Sequence, residues 1–284
     1  MKKKIAILVF LASTLFACLF AIVLETEINT SNFELKYDGS YRTIPNFGGL
    51  IAVEEQLLPH FNVKVAFERD SELGNSIWAK LSYNSSIVQV SLGPSICVLN
   101  SISSFYNALS QLHPGILMGI NITHESGFII GLSGNFSLAI SSPEDIAVFL
   151  QSAYANIGYR FPNILGEFRI THKGRVNVVN GVKSFFSITD YGLYTETFYK
   201  PSRLRVPINI IYRSIKYNSQ SKSDNNKYYG NVLFETGFNI ALNSDVEFGL
   251  LAGAAVYSFN INRGDPTDIK KFFFRSQAYL KIAL

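Results

Sequence analysis

Between Val232 and Val256 apolar and polar residues alternate almost without interruption. Val232, Phe234, Thr236, Phe238, Ile240 and Leu242 share one parity, and Val246, Phe248, Leu250, Ala252, Ala254 and Val256 continue it. Asn231, Glu235, Gly237, Asn239, Glu247, Gly249 and Gly253 stand on the other. A period of two is the mark of a strand with two unlike faces. Each half runs to about eleven residues, longer than the usual globular strand and long enough for a tilted strand to cross a bilayer.

Asn243, Ser244 and Asp245 separate the halves. A three-residue hairpin loop there pairs Leu242 with Val246, Ile240 with Phe248 and Phe238 with Leu250, which puts both apolar rows on one face. The same arithmetic applies to Ile116, Met118, Ile120 and Ile122, which alternate up to His124-Glu125-Ser126. A turn centred on Glu125 pairs Ile122 with Phe128 and Ile120 with Ile130. A four-residue loop at 200–203 aligns Tyr199, Thr197, Thr195, Leu193 and Tyr191 with Leu204, Val206, Ile208, Ile210 and Tyr212. Asp190, Glu196, Arg205 and Arg213 then share the opposite face.

Along the whole chain the pattern predicts about fourteen strands, near 33–44, 46–57, 61–69, 75–84, 87–93, 115–123, 127–140, 146–160, 165–179, 182–199, 204–217, 230–242, 246–261 and 271–284. Losing those near 46–57 and 87–93 leaves twelve. Short breaks near 58–60, 84–87, 123–127, 161–164, 200–203 and 243–245 alternate with longer polar ones near 70–75, 94–114, 141–145, 218–229 and 262–270. A soluble β-sandwich shares the alternation, but long strands with short turns at one end and longer loops at the other describe a membrane-spanning barrel. Asn180-Gly181 marks a hairpin tip and Gly174 a bulge. Within Pro94–His113 apolar residues from Ile96 to Leu112 recur at three or four, which predicts a helical piece in a loop that either folds into the lumen or packs on the rim.

Composition sharpens this picture. Charged residues make up only 16% and aromatics reach 14%, with 23 Phe and 15 Tyr, so much apolar surface must be placed in a core or in lipid. Lys2, Lys3 and Lys4 precede an apolar run, the arrangement of a secretory signal, which gives residues 1–21 as signal peptide and 22–284 as the barrel. An uncleaved anchor and lipidation at Cys18 are the alternatives. Beyond the signal only Cys97 remains, which excludes an internal disulfide. The four histidines are scattered without metal-ligand spacing, so no metal or other cofactor is expected. No dense basic stripe exists to hold nucleic acid.

The chain ends FFFRSQAYLKIAL, with Phe272, Phe274, Ala278, Leu280, Ile282 and Leu284 on one parity. This resembles the final strand of bacterial outer-membrane β-barrel proteins, which usually close on Phe or Trp where this chain has Leu284. The resemblance implies an all-β, up-and-down antiparallel transmembrane barrel in the bacterial outer membrane, with outer-membrane lipid and the barrel assembly machinery as partners.

If the apolar row meets lipid, the ionisable members of the other row face the lumen. They are Glu167, Arg169, Asp190, Glu196, Arg205, Arg213, Glu235, Glu247, Arg275 and Lys281. With the signs partly segregated, acids dominating some strands and Arg205 and Arg213 sharing one with Arg203, these predict a passive porin-like channel for small hydrophilic solutes, sorted by a transverse field. The alternatives are a closed structural or surface-interaction barrel in which the charges pair, as Asp190 with Arg213 in the register above, or a lipid hydrolase using His124 and Ser126. The last two residues fall in a tight polar turn with no third orienting group, so the chain is not expected to be an enzyme.

Overall fold

The computed structural model of the protein describes residues 22–32, 46–70, 74–98, 112–137, 147–179, 182–199, 203–219, 227–260 and 273–284. Within them the chain forms fourteen strands: β1 (Val23–Ser31), β2 (Asn46–Leu58), β3 (Phe61–Asp70), β4 (Gly74–Asn84), β5 (Val88–Val98), β6 (Leu112–Thr123), β7 (Phe128–Ser137), β8 (Ala147–Arg160), β9 (Ile164–Val179), β10 (Val182–Tyr199), β11 (Leu204–Ser219), β12 (Lys227–Ala241), β13 (Val246–Asn260) and β14 (Phe274–Ala283). Each pairs antiparallel with its sequence neighbours, and β1 closes on β14. Closure leaves no unpaired edge, which a sheet in hydrocarbon requires because no water is there to satisfy backbone groups.

Alternation predicts the facing of the wall. The outward row is apolar and exposed, as along Phe168, Leu193, Ile210 and Phe234, which are register neighbours on four successive strands. Near the short turns it ends in aromatics: Phe61 packs on Tyr83 at 5.2 Å between ring centroids and Tyr159 on Phe161 at 4.7 Å. Aromatic girdles of this kind mark the interface of a bilayer. Many inward residues are small or polar and buried, among them Ser82, Ser95, Asn156, Asn209 and Asn231, while Phe186, Ile188, Ile211, Ile215 and Leu233 form buried apolar patches on the inner side of β10–β12.

The hairpins at 242–246 and 199–204 have the registers expected from their loops. The hairpin between β6 and β7 does not. Ile122 pairs with Ile130 and Ile120 with Leu132, two residues away from the pairing centred on Glu125, although the facing is unchanged. The cause is Gly127 at φ 100°, which closes a turn in which its N–H donates to the carbonyl of His124 at 2.9 Å. A Cβ on Gly127 would also lie 2.4 Å from the Arg160 carbonyl oxygen. Gly127→Ala is therefore expected to lower the unfolding free energy by more than about 1 kcal/mol, read as a lower urea midpoint for the barrel in lipid vesicles.

Other departures concern element limits. The first strand is Val23–Ser31, earlier in the chain than expected, while the stretch expected at 33–44 lies outside the described residues, as do residues 1–21. Glu25, Glu27, Asn29 and Ser31 do alternate with Leu24, Thr26, Ile28 and Thr30, but the pattern abuts the apolar N-terminal run and is masked by it. Pro94 to Val98 extend β5 and Leu112 to Pro114 belong to β6, so the helical spacing read there is overridden by the ladder at both ends; 99–111 lie outside the described residues. Gly174 continues the ladder without a bulge. The irregularities fall instead at Gln56/Leu58 and Val232/Leu233. Residues 180–181, the expected hairpin tip, are outside the described residues and connect the paired Val179 and Val182.

Candidate functional site

The inward charges gather into linked groups, and the most enclosed of these spans β10 to β14. Arg213 clasps Asp190 with two hydrogen bonds, Nε to Oδ1 and Nη2 to Oδ2, both 2.7 Å. This pairing follows from register, since Asp190 and Arg213 stand opposite each other on adjacent strands. Arg275 joins from β14, with Nη1 3.4 Å from Asp190 Oδ2 and Nε donating to Glu235. Glu235, fully enclosed, also accepts from Asn209 Nδ2 at 3.3 Å. Two acids and two bases thus neutralise one another, which is the condition for burying charge at all.

Gly253 makes the Glu235–Arg275 contact possible. It stands between them in the register, and a Cβ there would come 2.4 Å from Glu235 Cγ. The absence of a side chain on β13 lets one from β12 reach over to β14.

A second group lies closer to the short turns. Arg205 pairs with Glu196 at 3.3 Å and with Glu247, which also accepts from the Tyr279 hydroxyl. Lys281 stands opposite both Glu247 and Glu25 in the ladder and is exposed. Arg169 binds Glu167 at 2.6 Å and lies over the Tyr194 ring at 4.4 Å. All ten ionisable residues singled out from sequence are therefore on the inward row. They do not divide into an acidic and a basic wall on β9–β14, where each sign interleaves with the other.

Parity alone left several inward charges on β1, β3 and β4 unremarked. Lys64 reaches over β2 to Glu25. Glu68 accepts from Trp78 Nε1 at 3.0 Å, and Lys80 Nζ lies 5.9 Å from the centroid of the same ring. Most consequential is Lys173 on β9, whose Nζ donates to Asp70 Oδ2 on β3 at 2.7 Å. β3 and β9 stand six places apart round the closed barrel in one direction and eight in the other. The bond therefore crosses the lumen.

That crossing fixes the shape of the section. Strands about 4.8 Å apart and tilted about 40° would make a circular fourteen-stranded barrel roughly 28 Å across. An extended lysine hydrogen-bonded to an aspartate spans at most about 13 Å between Cα atoms. The walls must therefore draw together at Asp70 and Lys173, flattening the barrel into a waist. Cavities open on either side of it. One of about 610 Å³ lies toward β1, β2 and β10–β14, and one of about 340 Å³ lies toward β4–β8; Asp70 and Lys173 line both. A third, of about 380 Å³, continues the second past Asn156 and Glu167.

His124 and Ser126 remain in the exposed turn after β6. Their Nδ1 and Oγ atoms are 2.9 Å apart, and the Ser126 N–H donates to the same Nδ1 at 3.2 Å. Among the described residues no group of three or more His, Cys, Asp or Glu could hold a metal ion.

No protein-family model matches the chain, and no curated protein matches its sequence. Solved structures do match in fold. A bacterial polysaccharide outer membrane secretin superposes with a TM-score of 0.52 at 9% identity, over 93% of this chain and 98% of that one. An outer membrane channel from Pseudomonas putida F1 gives 0.51 at 9% identity, over 93% and 95% of the two chains. At that identity the likeness is one of architecture, and it agrees with the closed wall, apolar outside and charged inside: the chain has the fold of the bacterial outer-membrane β-barrels.

Proposed function

We propose that this barrel is a passive, porin-like channel of the bacterial outer membrane for small hydrophilic solutes. The observation that carries the reading is the charged cavity of about 610 Å³ inside a wall whose outer row is apolar. At about 30 Å³ per water such a space holds on the order of twenty, and a lumen of this polarity stays wet. Small barrels are filled by their own side chains, whereas wider ones leave room for solvent. Glu167, Arg169, Asp190, Glu196, Arg205, Arg213, Glu235, Glu247, Arg275 and Lys281 would line the path. Lipid would meet the apolar row, small solutes the polar one, and the assembly machinery the final strand.

His124 and Ser126 are proposed as turn residues. The imidazole nitrogen that a serine nucleophile would use already accepts the backbone N–H of that serine, which ties the turn together. The other reading with an observation behind it is a closed barrel that presents its loops, and it draws on the bridge across the waist. Planar bilayers separate the two. The channel reading expects discrete single-channel currents, small for a fourteen-stranded barrel because the waist narrows the lumen. A folded barrel that passes no ions would leave the closed reading.

A further inference from the structure

Beyond the waist from the paired charges of β10–β14, the lumen is lined by groups of another kind. We infer that the inner wall of β5–β8 holds a binding subsite for small polyhydroxylated molecules, sugars or polyols. Its bearing on what crosses the membrane rests on the channel reading, whereas binding as such does not.

Register places the groups. Gln89, Asn121, Gly131 and Asn156 stand opposite one another on four successive strands, and all line the cavity of about 380 Å³. The next inward row on the same strands is Ser91, Gly119, Ser133 and Tyr154, and it lines the same cavity. One row thus offers amides and the other hydroxyls. At Gly131 the amides converge: a Cβ there would lie 2.3 Å from Asn156 Oδ1 and 2.9 Å from Asn121 Oδ1. Asn156 is 8% exposed, and its Oδ1 accepts no hydrogen bond among the described residues, which is costly for a buried amide. Gln89, Ser91, Asn121 and Ser133 likewise make no side-chain hydrogen bond among the described residues. The charges of β10–β14 are satisfied by one another, whereas these neutral groups are left to a ligand.

A ligand that matches them must donate and accept at short intervals, because strand neighbours stand about 4.8 Å apart. Hydroxyls on adjacent carbons do so, and an amide can answer a hydroxyl with its oxygen or its nitrogen. Tyr154 adds a ring face for the C–H groups between them. The cavity falls within the range of about 300–1,000 Å³ usual for small-molecule sites. An anion fits less well. Arg169 is already held by Glu167 at 2.6 Å, and Arg160 lies over the Phe198 ring, 5.9 Å from its centroid.

The test is saturation-transfer NMR of glucose with the full barrel in a detergent that has no sugar headgroup. Tetrahydropyran-2-methanol, which keeps the ring but has a single hydroxyl, is the control. The expected result is transfer to glucose that saturates with a dissociation constant on the order of 1 mM, the strength of three or four ordinary hydrogen bonds, and none to the control. The Asn121→Ala, Asn156→Ala double variant should weaken glucose binding by at least about tenfold. Gln89→Ala, an exposed change at the edge of the row, should weaken it about threefold and carries the test if the double variant does not fold. Gln277→Ala removes an amide beside the larger cavity and should leave binding unchanged. Folding of each variant is checked by its different gel mobility with and without boiling.

No transfer to glucose, or equal transfer to glucose and the control, would overturn the inference and leave water alone on this wall. Currents in planar bilayers would in that case keep the channel reading standing. Binding undiminished in the folded variants of β5, β6 and β8, or equally weakened by Gln277→Ala, would also overturn it, by moving the site off this wall. Glucose binding with the expected variant pattern but no current would uphold the subsite and remove the channel reading.

Discussion

Replacing Asp190 by alanine is expected to lower the unfolding free energy of the barrel by about 3–5 kcal/mol, the largest effect of any single inward substitution. The carboxylate is the shared anion for Arg213, which grips it with two bonds at 2.7 Å, and for Arg275 at 3.4 Å. Removing it takes both charge-assisted bonds from Arg213, whose side chain is 5% exposed and so poorly placed to regain them from solvent. The control is the Asp190→Leu, Arg213→Leu double variant. It takes out both charges, leaves Arg275 its bond to Glu235, and fills the volume with apolar atoms. Removing a whole buried pair is often close to neutral, so the double variant should recover most of what the single one loses. Urea unfolding in lipid vesicles reads both, with the single tryptophan as reporter, since Trp78 sits inside the lumen bonded to Glu68. Equal losses for the single and double variants would mean that the arrangement of β10 and β11 depends on these side chains for something besides charge balance.

How much of this was legible in sequence depends on the range of each contact. The Asp190–Arg213 pair could be read because a hairpin loop fixes the register of the strands on either side, and opposition on adjacent strands then follows by counting. The outward apolar row was legible for the same reason. The β6–β7 register missed by two because it depends on which residue of the turn takes a left-handed conformation, and Gly127 rather than Glu125 sets that centre. Facing survived because a shift of two preserves parity. The Glu235–Arg275 bond skips a strand and needs the gap at Gly253, a condition that appears only once three strands are in register. The Asp70–Lys173 bridge joins residues 103 apart in the chain on strands that share no ladder. Alternation places both on the inward row but cannot say that the barrel is flattened enough for them to meet. The waist is thus a property of the closed three-dimensional wall and of no local stretch.

The outward row offers a sharper test of what surrounds the protein. Ile210 is 54% exposed and lies in a continuous apolar row with Phe168, Leu193 and Phe234, near the middle of the band between the aromatics at the turns and the outer strand ends. In water, arginine at so exposed a position would change stability by no more than about 0.5 kcal/mol, because nothing is unburied and no cavity is left. In a bilayer the same change places a guanidinium at the depth where it is least tolerated, and Ile210→Arg should cost about 2–4 kcal/mol. Phe47 is 59% exposed, but it lies at the outer end of β2, where headgroups and water are within reach of a long side chain. Phe47→Arg should accordingly cost about 0–1 kcal/mol. The gradient between the two sites matters more than either value. Loss of packing would scale with how much of each side chain is covered, and these two are covered to nearly the same extent. Only a surrounding medium that becomes less polar toward the middle of the wall separates them, so equal costs at the two positions would argue that water, and not hydrocarbon, bathes the apolar row.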